Sequence, residues 1–170
     1  MGERARDAEF SDYVAAQRVR LVRAARLLTT GDEAAAEDLV QTTLTRLYVH
    51  WSQVSRADDP VAYGYRSLTN VFLDERRRAH RRREVADDVA LERAEVTADL
   101  DTRRVVLDAL QQLAPRQRAV VVLRHFLQFD VAATAEVLGC VEGTVKSQNA
   151  KALAHLRELL GASLPVEGNS

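Results

Sequence analysis

Residues 131–159 read VAATAEVLGCVEGTVKSQNAKALAHLREL, and this stretch decides the fold. Asp130 precedes it as an N-cap, and a short helix follows to Leu138. Gly139 supplies the stop, because glycine takes the left-handed conformation that a tight turn needs. A longer helix then runs from about Glu142 to Leu160. Ala135 is small where two helices must cross closely, and Val145 returns an apolar side chain to the core. A short and a long helix across a glycine turn make a helix-turn-helix arrangement, with an ordinary helical hairpin as the plainer alternative. At about 100° per residue, Val145, Ala152 and Leu156 of the longer helix point to the core. Gly143, Lys146, Ser147, Ala150, Lys151 and Ala154 point away, a basic face built from small residues that admit close approach to a groove.

Working outward, the same unit starts near Asp101, with Val106, Leu110 and Leu113 as a stripe and Pro115 opening a strongly apolar helix to about Leu127. Upstream, a first helix is expected from Ser11, as N-cap, to about Thr29, burying Val14, Leu21, Ala25 and Leu28. Gly31 and Asp32 interrupt it. A second helix to about Trp51 carries Ala36, Val40, Leu44, Leu47 and Trp51 on one face. Residues 52–59 read as a loop. Asp59 and Pro60 then form an N-cap and first helical position for a third helix to about Ala79, with Val61, Tyr65, Leu68 and Phe72 inward. The expected fold class is all-α. It has two small helical domains, 8–83 and 101–162, joined by an acidic linker, 84–100, with part of the linker helical around Val89 to Ala94. A tail, 163–170, follows.

Composition agrees. Hydrophobic residues are 46%, enough for real cores, and aromatics only 5%, which favours helices over strands. The lone Cys140 cannot form an internal disulfide, and the N-terminus lacks the apolar core of a signal peptide, so a cytosolic setting is expected. The net charge of −1 hides a segregation: six Arg crowd into residues 76–83, and residues 84–101 hold seven acidic residues against one Arg. Separate basic and acidic surfaces follow.

The wording of several segments is more specific than their pattern. LAPRQRAVVVLRHF, AEVLGC and GTVKSQ resemble the fourth domain of extracytoplasmic-function sigma factors of the sigma-70 family. AAAEDLVQTTLTRLYVHW resembles the polymerase-binding helix of their second domain. DDPVAYGYRSLTNVFLDERRR resembles the promoter-opening part of that domain. The matches come in the family's order over about Phe10 to Leu160, and VVLR with GTVKSQ is similar to the actinobacterial SigE-family subgroup.

The resemblance implies a transcription initiation factor, with core RNA polymerase and promoter DNA as partners and an anti-sigma factor as a further partner class. Asp38, Leu39, Val40 and Gln41 would meet clamp helices of the polymerase's largest subunit, and the fourth domain its flap. Tyr63, Arg66, Asn70 and Arg77 lie opposite the core stripe of the third helix. Ring, amide and guanidinium on one face suit single-stranded DNA, and the family places the downstream (minus-ten) box here, with a base captured by the preceding loop, residues 52–59. Thr144, Lys146, Ser147, Gln148 and Lys151 would read or grip the upstream (minus-thirty-five) box. Residues 76–83 would follow duplex phosphates, and the acidic linker would thread the polymerase's RNA channel. Gly64 and Asn149 depart from the family's usual residues.

No catalytic constellation is visible. His50, His80, His125 and His155 are scattered, none pairs with Cys140 at ligand spacing, and there is no phosphate-binding glycine loop. No cofactor is implied. Two other classes remain: a helix-turn-helix regulator that needs no polymerase docking, and a polymerase or anti-sigma interaction module whose DNA face has decayed.

Overall fold

The computed structural model describes residues 2–85 and 102–161. Among them the order is α1 (Glu3–Leu28), α2 (Glu33–Val49), α3 (Trp51–Val54), α4 (Pro60–Val85), α5 (Thr102–Gln111), α6 (Pro115–Val121), a π-helical turn (Val122–Phe126), α7 (Val131–Leu138) and α8 (Glu142–Leu160). The described residues hold no strand, as an all-α chain requires.

α1 begins eight residues before the expected Ser11, with Gly2 as its N-cap. Its added turns are held by the end of α2. Arg6 donates to the carbonyl of Tyr48, the Tyr48 hydroxyl donates to Asp7 Oδ1 at 2.8 Å, and Phe10 meets the rings of Tyr48 and Trp51 at 5.1 and 5.2 Å. The helix closes through Thr30 and Gly31, both at positive φ, and Asp32 caps α2 by accepting from the Ala35 amide at 2.9 Å. The segment expected as a loop, 52–59, is shorter: α3 takes Trp51–Val54 because Trp51 and Val54 are both buried and pin one turn. Asp59 Oδ1 accepts from the amides of Val61 and Ala62 at 3.0 and 2.9 Å, which starts α4 at Pro60. α4 continues past Ala79 through the arginines to Val85. Arginine is a good helix former, and His80 pairs with Glu84 at 3.1 Å one turn on. Glu84 and Val85 thus belong to α4, while the rest of the expected linker, its helical part and the tail lie outside the described residues.

α1, α2 and α4 pack around Leu21, Leu28, Leu39, Leu47, Leu68 and Phe72. In the second unit, Asp130 Oδ1 accepts from the Ala133 amide at 2.7 Å, and Gly139 sits at φ 61° with the Cys140 amide closing on Ala135 O at 3.0 Å. Val145 and Ala152 are fully buried. The π turn is marked by the Leu127 amide reaching Val122 O at 2.9 Å.

The two units share one apolar cluster, which runs from Leu21 through Phe72 to Val120, Leu123 and Val145. Arg118 lies in the seam, 5% exposed. Its guanidinium donates to Leu110 O (2.9 Å), Gln111 O (3.3 Å) and Leu113 O (3.3 Å) at the end of α5 and to Leu28 O (2.8 Å) at the end of α1. Burial, with Arg76 nearby, pulls its pKa down to about 10, so it stays charged at neutral pH.

Candidate nucleic-acid interface

α8 presents the face worked out from its spacing. Gly143, Lys146, Ser147, Ala150, Lys151 and Ala154 are exposed, Thr144 and Gln148 half-buried, and the core is reached by Val145 and Ala152. The turn at Gly139 projects this face because α7 packs on α8 from behind. Asn149 finds a partner, its Oδ1 lying 2.9 Å from Nε2 of His125 on the π turn.

On α4, Asn70 and Arg77 are exposed, while Tyr63 and Arg66 are half-buried. Tyr63 packs against the core cluster, so less of its ring is free for stacking than its position suggests. Arg77 is paired with Asp74, which also faces Arg46 of α2 at 3.6 Å. The Arg77 hydrogen bond holds the Asp74 carboxyl below its ordinary pKa. Arg66 is paired with Glu136 of α7.

The third group divides. Asp38 and Gln41 are exposed on α2, but Leu39 and Val40 are 0% exposed. This corrects the expectation that all four meet a partner. α2 is packed on by both α1 and α4, so its buried arc is wide enough to take Leu39 as well as Val40. Of the four, only Asp38 and Gln41 are exposed at the surface.

Two features escaped the sequence. A cleft of ≈ 640 Å³ is lined by Arg76, Arg77, Arg81 and Arg83 of α4 and by Arg116 of α6. The basic surface therefore extends onto the second unit, and the PRQR wording at its start was the available signal. Gly64 is also explained. A Cβ there would lie 2.1 Å from the Tyr13 hydroxyl, which donates to Pro60 O at 3.2 Å. Tyr13 and Trp51 line a cleft of ≈ 570 Å³ with Ser55 and Arg56, beside the shortened loop, and the buried Trp51 indole nitrogen has no partner. Burial, with Tyr65 and Asp59 adding to it, pushes the Tyr13 phenol up to about 12. No group of three or more His, Cys, Asp or Glu among the described residues is placed to hold a metal ion.

A model of Sigma-70 region 2 matches residues 13–82, and one of Sigma-70 region 4 matches residues 103–156. The chain is 39% identical over 157 residues to the RNA polymerase sigma-E factor of Streptomyces avermitilis, covering 89% of this chain and 85% of that protein. It is 38% identical over 138 residues to the ECF RNA polymerase sigma factor SigL of Mycobacterium tuberculosis, covering 77% of each. Among solved structures, the sigma factor RpoE of Bartonella quintana in complex with the anti-sigma factor NepR matches with a TM-score of 0.76 at 26% identity, over 92% of this chain and 99% of that one.

Proposed function

The chain belongs to the sigma-70 family of RNA polymerase sigma factors, in its extracytoplasmic-function branch, and from that premise we propose how its surfaces share the work. It directs promoter-specific transcription initiation. The unit from 8 to 83 docks core polymerase through Asp38 and Gln41 and holds the opened downstream box on α4. The unit from 101 to 162 reads the upstream box with α8. The basic cleft steers the intervening phosphates, and the cleft beside the shortened loop, lined by Tyr13, Ser55 and Arg56, takes an extruded base. No helix of the described residues is long and apolar enough to cross a membrane, and the cytoplasm is where such a factor meets polymerase. An anti-sigma factor is a further partner.

The observation that carries this reading is α8. Lys146, Ser147 and Lys151 stand on one exposed face, while Val145 and Ala152, on the opposite side, are fully buried. The test is run-off transcription by purified core polymerase, with promoters selected from a random-sequence pool. The chain should confer promoter-selective initiation, and Asp38→Ala with Gln41→Ala should raise the concentration of chain needed. A free chain that binds specific DNA tightly yet gives no run-off product would favour a regulator that acts without polymerase.

A further inference from the structure

Asn149 stands one turn along α8 from Lys146, half-buried at the edge of the exposed face. Its Oδ1 lies 2.9 Å from Nε2 of His125 on the π turn. An amide oxygen only accepts, so that imidazole nitrogen carries a proton and donates it. The other end of the Asn149 amide, Nδ2, has no acceptor among the described residues. His125 is exposed, but the turn that carries it is pinned. The Leu127 amide reaches Val122 O at 2.9 Å, the Phe129 amide reaches Leu123 O at 2.9 Å, and Arg124 donates to Phe129 O at 2.6 Å. Asn149 also lines a cleft of ≈ 350 Å³ with the cations Arg124, Lys146 and Arg157, and Ala150 is too short to close it. The amide therefore stands in a basic opening that is continuous with the DNA face of α8.

We propose that Asn149 is a further specificity-determining residue for the upstream box, and that His125 is a positioning residue that fixes which end of its amide meets the base. This rests on the reading that α8 enters the groove of that box. A side-chain amide that turns freely suits either kind of base edge, since one end donates and the other accepts. His125 removes that freedom. With Oδ1 turned to the π turn, the end left for DNA is the donor Nδ2. In the major groove a donor suits N7 and O6 of guanine, N7 of adenine and O4 of thymine. Cytosine offers its N4 amino group there, and donor then meets donor. The pair thus refuses cytosine at the base that Asn149 contacts, and the imidazole proton is what enforces the refusal.

The test uses the full chain with core polymerase in run-off transcription. The template is a promoter selected from the random pool, with each upstream-box base changed in turn to the other three. Wild type should initiate about tenfold less when cytosine takes one of these positions, the discrimination of about one base contact. Asn149→Ala should flatten the preference at that base pair and leave the others. His125→Ala should raise initiation with cytosine there about tenfold relative to the other bases, because the released amide turns its oxygen to the N4 donor. His125→Gln sets an amide N–H where the imidazole donates and should keep the wild-type profile. His125 is exposed, so its variants keep the fold, and circular dichroism checks all three chains. A merely structural pair would scale initiation alike on every template. That result overturns the proposal, as do unchanged base preferences in either Ala variant or a wild type that accepts cytosine at every position. If Lys146→Ala shifts base preference while the Asn149 and His125 variants do not, α8 still reads the box and only this proposal falls. A wild type that gives no promoter-selective product sinks the underlying reading, and the proposal with it.

Discussion

Replacing Gly64 by Ala should bring no gain in stability, and replacing Tyr13 by Phe as well should turn the same substitution into a stabilising one. Alanine is worth about 1 kcal/mol over glycine inside a helix. At Gly64 the added methyl would lie 2.1 Å from the Tyr13 hydroxyl oxygen, so the ring must move by more than 1 Å or the helix must shift. That ring is held by Trp51, with centroids 5.2 Å apart. Overpacking of this kind costs about 1–3 kcal/mol, so Gly64→Ala alone should be neutral to about 2 kcal/mol destabilising. Without the hydroxyl the nearest atom is Cζ at 3.5 Å, an ordinary contact. In a Tyr13→Phe background the same substitution should gain about 1 kcal/mol, the helix preference unopposed. Tyr13→Phe by itself loses one long hydrogen bond to Pro60 O and should cost about 0.5–1 kcal/mol. Urea denaturation followed by circular dichroism reads all four chains of the cycle. With a slope of about 2 kcal/mol/M, 1 kcal/mol moves the midpoint by about 0.5 M. If Gly64→Ala has the same effect in both backgrounds to within about 0.5 kcal/mol, the Tyr13 hydroxyl is not what demands glycine, and the account of Gly64 is wrong.

Arg118→Met should cost about 3 kcal/mol or more, because it strips the donor from four carbonyls in a buried seam. A loss below about 1 kcal/mol in thermal or urea unfolding would show that water replaces the guanidinium. Gln128, at φ 59° in the turn before α7, should be better as glycine, with Gln128→Gly raising stability by about 0.5–1 kcal/mol. Tyr13 is held neutral by burial, with a folded pKa of about 12 above its unfolded value of about 10. Its contribution is therefore complete below pH 10 and lost as pH rises from there towards 12, so wild type should lose more stability over that window than Tyr13→Phe. Of Lys146→Ala and Lys151→Ala, at least one should relax selectivity at a single upstream-box base pair by about 1–3 kcal/mol. Uniform weakening of all promoter variants by both, with each salt slope reduced by about one, would mean that α8 grips only the backbone.

What the sequence made legible was whatever a single helix decides for itself. The inward Val145 and Ala152 and the outward Lys146 and Lys151 follow from arithmetic along α8, and the caps Asp59 and Asp130 follow from short side chains before apolar runs. What escaped it depends on a second element. The first turns of α1 are charged and carry little apolar stripe, and they are helical because Tyr48 and Trp51 receive Phe10. Leu39 lies outside the stripe of Ala36, Val40 and Leu44, yet helices on two sides of α2 bury it too. Arg118 stands among the polar residues of PRQR, and only the converging ends of α1 and α5 give it a place inside. Arg66 read as a free cation, and its carboxylate is seventy residues away.

Arg118 also fixes what separation of the units would leave behind. Three of its four acceptors, Leu110, Gln111 and Leu113, sit on its own side of the seam and would travel with it. Only Leu28 O would be given up, to a solvent that can hydrogen-bond it at once. Parting the units therefore strands no charge, and the barrier set by electrostatics is low. What resists is the apolar lining, Leu21, Leu28 and Phe72 against Val120 and Leu123. Exposing such a lining raises the heat capacity, and the resistance it offers weakens on cooling. The seam should behave thermally as a small hydrophobic interface, which loosens in the cold while each unit keeps its own core.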